Sequence, residues 1–310
     1  MLAAVEDLGY RPSGIARSLK RRATGTFGLL VTDITNPFFP ELVRAVEDAA
    51  RELGYAVILG NADEDPEREA AYLELLAERR VDGMIVASSG LTDRHGRWLA
   101  SAPLPVVLVN CALPDGSRPA VLTDNRAGAR MAGEHLLALG HRRLGHISGQ
   151  PANAAMAERL DGVRDAIGGA GMAAEALVVM EGDDHVTGGE RAAHDLLGAC
   201  PIITGIVCYN DLTAIGALRA IRARGLRVPA DVSVVGFDDI DLAAYVDPPL
   251  TTIAQQTARI GRHAIEWLVE ILAGRDAGED QSGEPFSPRT VRLPATLRVR
   301  ESTAPPAKPA

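Results

Sequence analysis

The stretch GIVCYNDLTAIGALRAIRARGLRVPADVSVVGFDD, residues 205–239, decides the fold. It opens on an apolar run, GIVCYN (205–210), and closes on another, VSVVGF (232–237). Neither alternates with polar residues as a strand with one wet face does; continuous runs suit strands covered on both faces. Between them Leu212, Ile215, Leu218 and Ile221 recur at helical spacing, and Gly225 ends the pattern. Strand, helix and strand in this order make a parallel pair joined by a crossover helix.

The same unit recurs outward in both directions. Apolar runs stand at FGLLV (27–31), AVILG (56–60), GMIVAS (83–88), PVVLVN (105–110), RLGHISG (143–149) and ALVVM (176–180). Helical stripes lie between them, such as Leu42, Val43, Val46, Ala50 and Leu53, ended by Gly54. The pattern restarts after about residue 124, where a helix from Gly128 to Leu139 leads into GHRRLGHISG. The chain of 310 residues is longer than one doubly wound sheet usually holds, so two lobes are expected. Beyond Leu272, AGRDAGEDQSGEPFSPRT reads as loop, and the terminal STAPPAKPA reads as disordered.

The composition narrows the function classes. With 46% hydrophobic residues and a net charge of −9, the chain is globular and acidic, not a binder of nucleic acid or membrane over its whole surface. Its basic residues are clustered: Arg11, Arg17, Lys20, Arg21 and Arg22 fall in a segment without acids between Asp7 and Asp33. Cys111, Cys200 and Cys208 are odd in number and widely spaced, so neither disulfide nor zinc is expected. Glu6 and Asp7 interrupt what would be the apolar part of a signal peptide, and no run approaches membrane-spanning length, so a cytoplasmic location is expected. The chain lacks G-x-G-x-x-G, a P-loop, a G-x-S-x-G elbow and a metal-ligand cluster; no catalytic residue, cofactor or metal is expected.

Several stretches resemble the lactose-repressor (LacI/GalR) family of bacterial transcription regulators: LGYRPSGIARSL, DITNPFF, DPEREAAYLELLAERRVDGMIV, GHRRLGHISG, the stretch from Asn210 to Asp239, and PPLTTIAQ. The resemblance implies an α/β fold, a two-lobed periplasmic-binding-protein-like (type I) core of parallel sheets flanked by helices, preceded by a remnant of an all-α DNA-binding head and a hinge helix. It places the last helix of an incomplete helix-turn-helix head at 1–12 and a hinge helix and linker at 13–24. The effector-binding domain then spans 25–300, with an N-lobe of about 25–124 and 257–285 and a C-lobe of about 125–254 and 286–300; 301–310 form the disordered tail. The family's recognition helix would precede the residues matching MLAAVEDLGY, so direct operator recognition is not expected of this chain by itself.

In the hinge, Ser13 suits an N-cap, and Ile15, Ala16 and Leu19 share one helical face. By resemblance Leu19 wedges between base pairs in the minor groove, with Arg17 and Lys20 on phosphates. A helix this short, weakened by Gly14, needs a partner to fold.

The effector residues are expected at the carboxyl ends of strands. After the first strand come Asn36, Phe38 and Phe39; Asn36 also suits a cap, and Pro37 or Pro40 takes the first position of the helix that follows. Asp65 after the second strand is also a good N-cap before Pro66, with Asp63 beside it, while Asn110 ends PVVLVN and Asp124 follows AVLT. The resemblance carries over Arg159, Asn210, Asp238 and Gln255, along with Asp211, which also suits an N-cap. Arg forks to two oxygens, Asp accepts from hydroxyls and Asn does both, a set fitted to a polyol. Where many family members place a stacking ring, this chain has Asp184 and His185, which implies a more polar effector. His141 and His146 read as structural. The resemblance thus implies a ligand-responsive, repressor-type regulator that binds a carbohydrate or related polar metabolite between its lobes. Closure would be coupled allosterically to the hinge, and the partners would be operator DNA, where the head is present, and a second copy in a homodimer, with no membrane. A stand-alone sugar-binding receptor shares the core, but the basic hinge argues against it.

Overall fold

The computed structural model describes residues 23–88, 90–150, 154–276 and 289–307. These form twelve strands and eight α-helices: β1 (Thr26–Val31), α1 (Phe38–Glu52), β2 (Ala56–Asn61), α2 (Pro66–Glu78), β3 (Gly83–Ala87), α3 (Asp93–Ser101), β4 (Val106–Val109), β5 (Ala120–Thr123), α4 (Asn125–Ala138), β6 (Leu144–Ser148), α5 (Ala154–Gly169), β7 (Leu177–Glu181), α6 (Val186–Ala199), β8 (Gly205–Cys208), α7 (Asp211–Ala223), β9 (Ser233–Asp238), β10 (Thr251–Ala254), α8 (Thr257–Asp276), β11 (Thr290–Leu293) and β12 (Thr296–Arg298). The expected hinge residues Ser13, Ile15, Ala16, Arg17, Leu19 and Lys20, and the head helix at 1–12, lie outside the described residues.

Two six-stranded sheets result, ordered β11-β5-β4-β3-β1-β2 and β12-β10-β9-β8-β6-β7. The pairings β1–β2, β1–β3 and β3–β4 of the first, and β6–β7, β6–β8, β8–β9 and β9–β10 of the second, are parallel. Each sheet therefore repeats one doubly wound order, reversing direction between β1 and β3 and again between β6 and β8. In such sheets the crevice at the carboxyl ends beside the reversal is where polar side chains from successive loops converge. By contacts the chain divides into two compact units. One takes the described residues up to Thr32 with Val43–Ala120 and Gly261–Arg289; the other takes Asp33–Leu42, Val121–Ile260 and the described residues from Thr290 onward. The segment from Asp33 to Leu42, expected with the first lobe, groups with the second unit.

All eight apolar runs form strands, but two are not covered on both faces. β2 and β7 are edge strands, and on β2 Ile58 and Leu59 are 41% and 37% exposed. α1 buries Leu42, Val46 and Ala50 as its stripe dictates, whereas Leu53 falls beyond the helix and is half exposed. Gly54 and Gly225 end their helices at φ +82° and +74°, the left-handed conformation in which a Cβ would be strained. Neither proline opens α1. Asn36 Oδ1 accepts the Phe38 N–H at 3.1 Å in an Asx turn, so the helix begins at Phe38 and Pro40 is its third residue. α4 starts at Asn125, three residues before the expected Gly128, because Asp124 caps it.

The tail is a further correction. Residues 301–307 are ordered, and Ser302 is fully buried at the starts of β9 and β10. Its hydroxyl accepts from the Thr251 N–H at 2.8 Å and donates to Val234 O at 2.6 Å, while its carbonyl accepts the Val234 N–H. His141 Nε2 meets Ala304 O at 3.0 Å. A proline-rich composition thus hid a short strap held by side-chain and backbone bonds to the sheet.

Candidate functional site

The second unit gathers a buried polar centre at the carboxyl ends of β8, β9 and β10. Arg159 of α5 is its only cation among the described residues, 6% exposed, with its guanidinium carbon 3.7 Å from the Phe237 ring centroid and 4.6 Å from that of Tyr209. A buried guanidinium persists when aromatic faces and acceptors replace its water. Here Nε donates to Asn125 Oδ1 at 2.9 Å, one terminal nitrogen to Tyr209 O at 2.7 Å, and the other to Asp238 Oδ1 at 3.5 Å. Asp238 Oδ1 also accepts Gln255 Nε2 at 2.7 Å, and Gln255 Oε1 in turn accepts the Thr123 hydroxyl. Two guanidinium N–H groups and Asp238 Oδ2 have no protein partner among the described residues. Burial raises the Asp238 carboxyl to about 6, against the lowering effect of Arg159 and Gln255.

Three residues of this unit carry backbone strain. Asp184, Asp238 and Asp239 have φ of +68°, +116° and +61°. A non-glycine residue held there costs about 1–3 kcal/mol and persists only where its surroundings over-determine it. Asp184 Oδ1 accepts the Gln150 N–H at 3.0 Å, and its carbonyl accepts Asn210 Nδ2 at 2.9 Å.

Of the residues expected from the sequence, Arg159, Asp238 and Gln255 form this centre directly. Asn210 borders it: its Oδ1 caps α7 by accepting the Thr213 N–H at 2.8 Å, and its amide braces Asp184. The capping role foreseen for Asp211 thus belongs to Asn210, while Asp211 is buried beneath. At the next helix start the roles are likewise displaced by one residue. Asp124 caps α4, accepting the Ala127 N–H at 3.0 Å, and its neighbour Asn125 faces Arg159. Asn36, Phe38 and Phe39 lie in the segment grouped with this unit; Phe38 is buried, and the two rings meet edge to face at 5.3 Å. Asp65 and Asn110 belong to the other unit. Asp65 is the exposed N-cap of α2, accepting the Glu67 and Arg68 N–H groups, and Asn110 sits in a left-handed turn at φ +54°. His146 is fully buried in β6 without a hydrogen-bond partner for either ring nitrogen among the described residues, and burial lowers it to about 4.

Sequence reading missed Asn125, Thr123, Tyr209 and Phe237. The two rings stand at the ends of apolar runs already marked as strands, which was the signal available: they supply stacking faces, and the group stacked on them is Arg159.

A family model described as "Periplasmic binding proteins and sugar binding domain of LacI family" matches residues 24–295. The chain belongs to the LacI family. It is 38% identical to the HTH-type transcriptional repressor PurR of Aliivibrio salmonicida over 86% of this chain and 80% of that one. It is 35% identical to the ribose operon repressor of Halalkalibacterium halodurans over 98% of this chain and 87% of the other. Among solved structures, the transcriptional regulator CelR in complex with cellobiose superposes with a TM-score of 0.82 at 32% identity, covering 97% of this chain and 88% of that one. These relatives are transcriptional repressors and regulators rather than enzymes. This LacI-family chain is accordingly an effector-sensing regulator, and none of its described helices is long and apolar enough to cross a membrane.

Proposed function

We propose that the polar centre of the second unit receives the effector, a hydroxyl-bearing small molecule of the carbohydrate class. One observation carries this reading: the open ends of Arg159 and Asp238 put donors beside an acceptor. A ligand hydroxyl donates to Asp238 Oδ2 and accepts from a guanidinium N–H, matching both with one group. A hydroxyl left unpaired there costs about 1–3 kcal/mol, so the centre discriminates by hydrogen-bond satisfaction rather than by area. Asn125, Gln255 and Thr123 hold the pair in place, while Asn210 and Asp184 brace the adjoining loops; in this reading Asn36, Phe38 and Phe39 are further effector contacts. Ribose and cellobiose, which the names of a relative and of a solved structure carry, are the first ligands to try.

Effector binding on a homodimer is coupled to operator DNA through the segment 13–24, with Leu19 in the minor groove where a complete head is present. Calorimetry with ribose and cellobiose on the wild type and on Asp238→Asn tests the site. A bound sugar should lose at least tenfold in affinity, whereas equal affinity rejects the assignment.

A further inference from the structure

Asp211 opens α7 yet is fully buried, although an acid in the first turn of a helix usually faces water. Its carboxylate does not cap the helix, since Asn210 does. Oδ1 accepts the Thr252 hydroxyl from β10 at 2.5 Å, and Oδ2 accepts the backbone N–H of Ile240 at 2.9 Å. Gly236 of β9, paired with Thr252 across the ladder, makes room for it: a Cβ there would lie 2.1 Å from Asp211 Oδ1. Ile240 directly follows Asp238 and Asp239, the two residues with positive φ. The turn is gripped from the other side by Arg300, which donates to Asp239 Oδ1 at 2.6 Å and to Leu250 O at 2.9 Å. Burial and the nearby Asp238 push the Asp211 carboxyl well above the usual range, which sets the two carboxyl groups in electrostatic contact.

We infer that Asp211 is a positioning residue for the effector centre: it ties the 238–240 turn to β10 and thereby aims the Asp238 side chain at Arg159 and Gln255. What Asp238 receives rests on the proposed function; the positioning is a property of the ligand-free protein. It explains why an acid is kept, without a cation, beneath a second acid. Only a carboxylate offers two oxygens that accept from a β10 hydroxyl and from a backbone N–H beyond the strained pair.

The test uses the full chain carrying Asp211→Asn, which keeps the shape and removes one acceptor. Two ligand-free quantities are read by nuclear magnetic resonance: hydrogen exchange of the Ile240 amide and the titration midpoint of the Asp238 carboxyl carbon. Ile240 exchange should rise at least tenfold and the Asp238 midpoint should move away from about 6, while the amides of α7 stay protected. Unchanged Ile240 exchange with an unchanged midpoint overturns the inference, as does faster exchange spread evenly over the second unit. If Asp211→Asn does not fold, Thr252→Val removes a single bond and should move the same two quantities in the same direction; no movement again overturns it. The two readings fail separately. If Asp238→Asn leaves ribose and cellobiose binding unaltered, the effector role falls and the Ile240 result stands.

Discussion

The two sheets share one strand order but differ in the buried polar groups at their carboxyl ends. Beyond β3, in the first unit, the Ser88 hydroxyl donates to Glu69 Oε2 at 2.9 Å, and Glu69 Oε1 faces His95 Nδ1 at 3.5 Å. His95 Nδ1 also accepts the Thr92 N–H, and Nε2 meets Pro66 O at 2.8 Å, so this cluster is bonded within its own helices α2 and α3, with the buried Glu69 Oε1 left without a hydrogen bond among the described residues. Burial raises the Glu69 carboxyl, with His95 acting against it. Beyond β9, Arg159 and Asp238 are also buried and bonded but keep ends that no protein group among the described residues satisfies. The first cluster leaves a lone acceptor, Glu69 Oε1, whereas the second leaves donors and an acceptor together, which one further molecule can match. The difference is legible in partners, not in burial, since all four side chains are buried.

The comparison breaks most visibly at Arg159. Arg159→Leu strands Asp238 as a buried charge, and removing one member of such a pair costs about 3–5 kcal/mol. Urea unfolding should show that loss; a drop below about 1 kcal/mol would mean the pair contributes little.

Next comes His146, buried in the second unit with no hydrogen-bond partner for its ring nitrogens among the described residues. Its folded value of about 4 lies below the usual 6.5, so the unfolded chain binds the proton first as the pH falls. The stability held with the ring neutral is present above pH 6.5 and lost on acidification toward about 4, by about 3 kcal/mol in all. Asp238 acts with the opposite sign: its raised value makes the folded state the better proton binder between 3.8 and about 6, so its contribution is present at acid pH and lost as the pH rises. The two offset, and the measurement is therefore the difference in stability between wild type and His146→Leu at pH 7 and at pH 4.5. The variant should gain relative to wild type on acidification, and a constant difference would contradict the assignment.

A smaller effect sharpens the contrast at the site. Ionised Asp238 accepts a ligand hydroxyl more strongly than the neutral acid does, so effector affinity should weaken as the pH drops below about 6, by up to about tenfold per unit. Affinity that is flat between pH 5 and pH 7.5 would remove the carboxylate from the contact. Smallest is Glu69→Gln in the first-unit cluster. The amide oxygen keeps the bond from the Ser88 hydroxyl, so thermal unfolding should register under about 1 kcal/mol of change.

Much of the fold was legible because continuous apolar runs mark the parallel strands, and glycines end helices where the chain turns left-handed. The same signal misjudged β2 and β7, since a run records that both faces are apolar and not what covers them. Short β10, β11 and β12 carry too few residues to show a period. At the site, the residue types were legible and their phase was not. Asp124 and Asn125, like Asn210 and Asp211, are adjacent polar residues at a helix start, where one step turns a side chain by about 100°. Which of the two caps and which faces inward is set by the buried face of the helix. In α7 that face is Asp211, Ala214, Leu218 and Ile221 rather than the larger Leu212 and Ile215. Ser302 stayed hidden because its role is defined by the starts of β9 and β10, more than fifty residues away in the chain.

The most direct test is the thermal stabilisation of wild type and Asp238→Asn by ribose and by cellobiose at pH 7.5. A sugar that raises the wild-type midpoint should leave the variant nearly unmoved. A sugar that stabilises both proteins equally would show that the effector does not engage the open ends of Arg159 and Asp238.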